Sequence, residues 1–344
     1  MESIIFSGNI TQDLGRYLES KTFSKLGVIA DSNSVRHCYP LITPSMPQHE
    51  HFSFEAGEIN KNIQTCGKIW QWMTDAGFDR KSLIINLGGG VTGDMGGFCA
   101  STYKRGIRFI NIPTTLLSQV DASVGGKLGV DFNGYKNHIG VFNLPEVVMI
   151  SDAFLHSLPQ AELRSGYAEV IKHGLIRNAD YFESLRAEGW ENQDWSAIIE
   201  RSISIKKEVV EKDPKEIGLR KILNFGHTVG HAIESFYLDT DKHLLHGEAI
   251  AIGMVAEAYL SRKLLGLSPQ ELETITKFLL RVFDAVKIPE GDLNGIASLC
   301  FQDKKNVGKV INCSLLNKIG SCDYDIPVSS ADIIESLSFY NQLK

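Results

Sequence analysis

The chain has 344 residues, 43% of them hydrophobic and 22% charged, and its 35 basic and 41 acidic side chains give a formal net charge of −6. That length favours two domains over one core, and the composition is that of a globular protein rather than a disordered or fibrous one. No long basic run marks a phosphate-tracking surface, which argues against nucleic acid as a partner, and no stretch approaches the roughly 20 apolar residues of a membrane span.

Six cysteines, Cys38, Cys66, Cys99, Cys300, Cys313 and Cys322, lie far apart. No pair has the tight spacing of a thiolate metal site, so they read as reduced packing residues. The opening MESIIFSGNITQD has too short an apolar run for a signal peptide. A cytoplasmic protein without membrane contact is the expectation.

In the first 150 residues, β-rich runs at Leu26 to Ala30, Leu83 to Leu87, Ile107 to Ile112 and Val147 to Ile150 alternate with helix-like or glycine-rich segments, a pattern that predicts a parallel α/β sheet. Directly after the second run comes Gly88-Gly89-Gly90-Val91-Thr92-Gly93-Asp94, a G-x-G-x-x-G spacing between strand and helix. Glycines there let the backbone approach a phosphate, and the helix N-terminus offers unpaired N–H donors. The motif is not on the first strand, and no acidic residue follows about 20 positions later to hold a ribose. Alone the match is weak, with a tight packing turn as the rival reading. Pro113-Thr114-Thr115 and then Asp121-Ala122-Ser123-Val124-Gly125-Gly126-Lys127 add hydroxyls, a carboxylate and an ammonium around a second flexible loop, which favours a variant nucleotide site.

From about Pro159 the apolar residues fall three and four apart, as in Ala249 to Leu265 and Leu272 to Val286, so the second half reads as mainly helical. In Ala168-Glu169-Val170-Ile171-Lys172-His173-Gly174, Glu169 shares a helix face with Lys172 and with His173. Apolar neighbours point this polar cluster into a cleft rather than into water. Asn224-Phe225-Gly226-His227-Thr228-Val229-Gly230-His231 sets two imidazoles four apart, and His246-Gly247-Glu248 opens another helix. Three histidines with a carboxylate make an open metal site. Spacing nominates His227 and His231 as ligands and leaves open which imidazole is kept for proton transfer. Near the end, Lys309 to Leu315 and Lys318 to Tyr324 read as a hairpin, and Asp332 to Leu343 as a final amphipathic helix.

Taken together, Gly88 to Asp94, Thr102-Tyr103-Lys104-Arg105-Gly106, Pro113 to Lys127, Lys136-Asn137, Ala168 to Lys172, Asn224 to His231 and His246-Gly247-Glu248 resemble the 3-dehydroquinate synthases among the sugar-phosphate cyclases. The matches are collinear, with little contribution from residues 1–50 and 265–344. The resemblance implies a Rossmann-like NAD-binding α/β domain over residues 1–157, a mainly helical metal- and substrate-binding domain over 158–344, and a cleft between them. It implies one divalent metal, zinc or cobalt, on Glu169, His227 and His246, which leaves His231 for proton transfer. His243, in a loop from Leu238 slightly longer than the resemblance leads one to expect, is a rival ligand ranked below His246.

For NAD the resemblance implies Asp31, Glu58 and Lys61 on the adenosine side, Gly89, Gly90 and Asp94 near the pyrophosphate, and Thr114, Thr115, Asp121, Lys127, Lys136, Phe154, Ser157, Leu158 and Glu162 beyond them. For the substrate it implies Asp121, Lys127, Asn137, Lys172, Lys206, Arg220, Asn224 and Lys304 or Lys305, with Glu216 as a further acid–base candidate. Arg105 is expected to reach a phosphate in a neighbouring subunit of a homodimer. The implied reaction turns 3-deoxy-D-arabino-heptulosonate 7-phosphate into 3-dehydroquinate and phosphate by oxidation, elimination, reduction, ring opening and aldol closure, a lyase step of the shikimate pathway. A valiolone- or inosose-forming cyclase is the nearest alternative, disfavoured by Asn224 and His231. A metal-dependent glycerol or alcohol dehydrogenase is disfavoured by the phosphate-binding cations Arg105, Lys127 and Arg220.

Overall fold

The computed structural model describes residues 3–133, 135–238, 240–301 and 310–343. They form two compact units, Met1–Pro159 with Trp195–Ile203, and Gln160–Asp194 with Ser204–Lys344.

Strands β1 (Ile4–Phe6), β2 (Leu26–Asp31), β3 (Glu50–Phe54), β4 (Leu83–Gly88), β5 (Arg108–Pro113), β6 (Lys127–Phe132), β7 (Tyr135–Phe142) and β8 (Val148–Ile150) lie in the first unit with helices α1 (Ile10–Glu19), α2 (Ser32–His37), α3 (Tyr39–Ile42), α4 (Ile63–Asp75) and α5 (Gly90–Thr102). Six strands form one parallel sheet in the order β1-β8-β5-β4-β2-β3, while β6 and β7 pair separately as an antiparallel hairpin. A central strand of such a sheet is covered on both faces and is apolar at every position, and β2 and β4 are buried almost throughout. Successive side chains serve opposite layers. Ile85, Leu87, Ile110 and Ile112 pack with Leu14 and Leu18 of α1, whereas Ile84 and Phe109 pack with Ile69 and Met73 of α4 and Met95 and Phe98 of α5.

Strand order reverses between β2 and β4, because the chain leaves β2 toward β3 and returns on β2's other side. In open α/β sheets the crevice at the strands' carboxyl ends at such a point is where ligands settle. Asp31 ends β2 and Gly88 ends β4.

The second unit holds α6 (Gln160–Arg177), α7 (Ala179–Ala187), the second half of α8 (Trp195–Lys212), α9 (His227–Tyr237), α10 (His246–Leu265), α11 (Pro269–Val282), α12 (Leu293–Cys300), the β9 (Ile311–Lys318) and β10 (Ser321–Val328) hairpin, and α13 (Ser330–Gln342). Two sequence expectations are corrected. The helix expected to run to Val286 ends at Val282, where Phe283 turns extended. The hairpin turn falls at Ile319–Gly320, where Gly320 supplies a positive φ of 84°, so both strands start later than Lys309 and Lys318; Lys309 itself lies outside the described residues. Among the described residues no helix is long and apolar enough to cross a membrane.

Helices α9 and α10 touch through backbone. A Cβ on Gly253 would stand 2.0 Å from the Gly226 carbonyl oxygen and 2.7 Å from Gly230 N, so nothing larger than hydrogen fits. We expect Gly253→Ala to cost about 3 kcal/mol through overpacking, read as a lowered thermal unfolding midpoint. An unchanged midpoint would contradict this contact.

Candidate active site

At the switch point of the first unit, Asp31 caps α2. Its Oδ1 accepts from the Asn33 and Ser34 N–H groups, both at 3.0 Å, and its Oδ2 from the Ser34 hydroxyl at 2.8 Å and the Thr92 hydroxyl at 3.0 Å. One carboxylate thereby ties the end of β2 to the first turn of α5. Gly89 is the N-cap of α5 and brings no side chain of its own. Gly90, Gly93, Asp94, Asn111, Ser123 and Lys127 line a recess beside that turn. A Cβ on Gly93 would meet no atom within 4 Å, so the open space is there because the side chain is missing. Thr114 N–H donates to Gly88 O at 3.0 Å, and the Thr115 hydroxyl donates to Ser118 Oγ at 3.0 Å. Asp121 lies in a short π-helical stretch, Ser118–Ala122, that leads to the exposed Lys127. A widened turn of this kind often marks a functional segment.

Lys61, 4% exposed, donates from Nζ to Asp94 Oδ2 and to Asn137 Oδ1, each at 2.7 Å. Burial alone would lower its pKa; Asp94 and then Glu58 outweigh burial and hold it above the usual lysine value. Lys136 stands 3.8 Å from Glu58. Asn137, expected near the substrate, thus sits on the β7 hairpin with its carbonyl oxygen engaged by Lys61. Phe154 is buried and accepts through its carbonyl from the Ser157 hydroxyl at 3.3 Å. Leu158 follows as the cap of that turn. Arg105 is exposed, with φ 69°, between Lys104 at 50° and Gly106 at 112°.

The second unit gathers the metal-capable residues. On α6, Glu169, Lys172 and His173 are all buried, and the Lys172 ammonium contacts Glu169 Oε2 directly. Glu169 Oε1 faces His227 Nε2 at 3.3 Å and His246 Nε2 at 3.5 Å. Glu169 is 0% exposed, so its carboxylate has only these side chains, and no water, to balance its charge. The other ring nitrogens are engaged: His227 Nδ1 meets Phe225 O at 3.1 Å, and His246 Nδ1 meets Glu234 Oε2 at 3.3 Å. Such contacts fix ring orientation and leave Nε2 for a cation. Ring nitrogens of His227, His231 and His246 all lie within 4.8 Å of one another.

Charge follows this geometry. Burial would raise the Glu169 pKa, but Lys172 and then His227 hold it well below the usual carboxylate range. Burial and then Lys172 keep the His227 imidazole below its ordinary value and hence neutral. Burial would also lower His246; Glu169 and Glu234 outweigh it and push the pKa up to about 9. An anionic carboxylate and neutral imidazoles are the donor set that zinc and cobalt take, and these residues fit such an ion once it displaces the proton of His246. His243 is exposed and outside the cluster.

Near it in sequence, Asn224 Nδ2 donates to Glu216 Oε1 at 2.8 Å. Glu216 is held at φ 58°, a cost of order 1–3 kcal/mol that surrounding contacts must impose. They do so through Asp213, whose oxygens accept from Ile217, Gly218 and Arg220 N–H at 3.0, 2.7 and 3.1 Å. Arg220 and Lys206 are buried. Glu162 is in the first turn of α6. Lys304 and Lys305 lie outside the described residues. Sequence reasoning missed two carboxylates, Glu234 behind His246 and Glu257, which accepts from Gly226 and Val229 N–H at 2.6 and 3.1 Å. Neither carried a local signal, because each acts across the contact between α9 and α10.

Comparison with known proteins decides the family. Residues 51–165 match the 3-dehydroquinate synthase N-terminal model, and residues 166–306 match the C-terminal one. The chain belongs to the 3-dehydroquinate synthase family. It is therefore a carbon–oxygen lyase. A 3-dehydroquinate synthase of Parabacteroides distasonis is 39% identical over 346 residues, covering 99% of this chain and 98% of its own. The structure of 2-epi-5-epi-valiolone synthase from Streptomyces hygroscopicus, with NAD+ and Zn2+ bound, aligns at TM-score 0.87 and 22% identity, covering 99% of this chain and 97% of that one. That of 2-deoxy-scyllo-inosose synthase, complexed with carbaglucose-6-phosphate, NAD+ and Co2+, aligns at 0.84 and 24%, covering 97% and 95%. Both speak for the fold alone.

The Lys61 pair gives a direct check on the first unit. Lys61→Met keeps the volume and leaves Asp94 without its cation, so we expect a loss of about 3 kcal/mol, measured as a lower urea midpoint; a wild-type midpoint would mean the pair is not formed.

Proposed function

We propose that the chain converts 3-deoxy-D-arabino-heptulosonate 7-phosphate into 3-dehydroquinate and phosphate, as the 3-dehydroquinate synthase of the shikimate pathway, working in the cytoplasm as a homodimer. The observation that carries the reading is Glu169, a fully buried carboxylate whose Oε1 faces the Nε2 atoms of both His227 and His246. When bound, NAD takes and returns a hydride at a secondary alcohol, while a zinc or cobalt ion lowers that alcohol's pKa and polarises the ketone.

The chain's own groups do the rest. Glu169, His227 and His246 hold the ion. His231 moves protons at the substrate from a position close to the two ligand imidazoles, with Glu216, steered by Asn224, as a second acid–base group. For the nucleotide, Gly89, Gly90 and Asp94 serve the pyrophosphate, Asp31, Glu58 and Lys61 the adenosine side, and Thr114, Thr115, Asp121, Lys136, Phe154, Ser157, Leu158 and Glu162 the remainder. A substrate with a carboxylate and a phosphate needs fixed cations. Lys127, Lys172, Lys206 and Arg220 supply them, with Lys304 or Lys305 and the amides of Asn137 and Asn224. Arg105 offers a cation to the phosphate held by the second subunit.

With the heptulosonate phosphate and a catalytic amount of NAD, phosphate release should continue far beyond one turnover per nucleotide; NADH accumulating in proportion to product would instead mark a dehydrogenase. Metal analysis tests the ligand set. His246→Ala should lose both metal and activity, whereas His231→Ala should keep its metal and turn over about 10²-fold to 10⁴-fold more slowly. The opposite pattern would reverse the two assignments.

A further inference from the structure

We propose that Glu257 is a positioning residue for His227, setting from α10 the place of that imidazole on α9; the inference rests on the reading of His227 as a metal ligand. Glu257 is 0% exposed, and a buried carboxylate is costly unless its oxygens are satisfied. Its Oε2 accepts from Gly226 N–H at 2.6 Å and its Oε1 from Val229 N–H at 3.1 Å.

Those two donors are the N-cap and third-residue amides of α9. In a capping box they are satisfied by two local side chains, one at each position. Here the N-cap is Gly226, which has no side chain to offer, and α9 has no side-chain cap of its own. One carboxylate some thirty residues away therefore performs both halves of the box. His227 lies between the two amides, as the first residue of the helix. Its backbone is thus pinned on each side by the same group, while Phe225 O fixes its ring through Nδ1 at 3.1 Å. The arrangement also explains the conformation of Gly226. Its φ of 79° aims its N–H at Glu257, and a Cβ there would meet Met254 Cγ at 2.5 Å. Negative charge at a helix N-terminus is favourable besides.

An amide in place of the carboxylate keeps one acceptor and turns a donor toward one of the two N–H groups. In the full-length protein, stripped with a chelator and titrated with Co2+, Glu257→Gln should bind cobalt about 10-fold more weakly, the scale seen when groups that orient metal ligands are removed. Its visible cobalt spectrum should differ from wild type while its far-ultraviolet circular dichroism does not. Ser261→Ala supplies the control for lost stability alone. It lies one turn along α10 and is equally buried, and its hydroxyl bonds Glu257 O and Leu316 N at 2.6 and 2.8 Å without touching α9's first turn. This variant should unfold at lower temperature and bind cobalt as wild type does. If Glu257→Gln does not fold, Glu257→Asp, one methylene shorter with the charge kept, replaces it and should show the same weakened binding. The inference is overturned if the Glu257 variant has wild-type affinity and spectrum, or if Ser261→Ala weakens cobalt equally. Wild-type protein that bound no cobalt would instead overturn the metal reading, and this inference with it.

Discussion

A carboxylate sealed from water must be surrounded by positive charge or by atoms that become positive, because its desolvation costs several kcal/mol that a neutral pocket does not return. Glu169 is in that position, and much of the second unit is arranged around it. Lys172 sits on the same helix and neutralises one oxygen, and the other looks at two imidazoles brought in by α9 and α10. Burial, and then the same ammonium that keeps Glu169 anionic, keeps His227 unprotonated. One buried cation therefore prepares two donors of opposite character for the same ion.

The first unit meets a similar problem by a different route. Lys61 and Asp94 form a close ion pair beside the glycine turn, so their charges largely offset each other. Lys127, exposed at the start of β6, lines the recess beside that turn. Backbone N–H groups at a glycine turn, with an ammonium beside them, suit an anion.

The parts of this design that are local in sequence could be read from it. Continuous apolar runs at Leu26 and Leu83 gave the central strands, since full burial leaves no alternation to mistake. Glu169 and Lys172, three apart, were placed on one helix face, and they touch. The hairpin of β9 and β10 was displaced because an apolar pattern does not mark the turn as sharply as Gly320's positive φ does. Strands β1, β3, β6 and β7 went unnamed, short or half-exposed as they are. Spacing alone favoured His227 with His231, whereas Glu169 faces His227 and His246, a pairing that depends on how α9 and α10 dock and on no local pattern. Glu234 and Glu257 act across the same contact and were invisible for the same reason.

That docking has a consequence for how the chain tolerates change. Gly253 against Gly226, Gly247 against Ser165 and Glu257 against the first turn of α9 lock α10 lengthwise at three points, none of which involves the segment joining the two helices. Lengthening that connector costs little, since doubling a flexible loop adds only about 0.6 kcal/mol of closure entropy. A single residue inserted within α10 would rotate everything beyond it by about 100° and unseat all but the nearest lock. Variation in length across related chains is thus free to collect between α9 and α10, and barred from α10 itself.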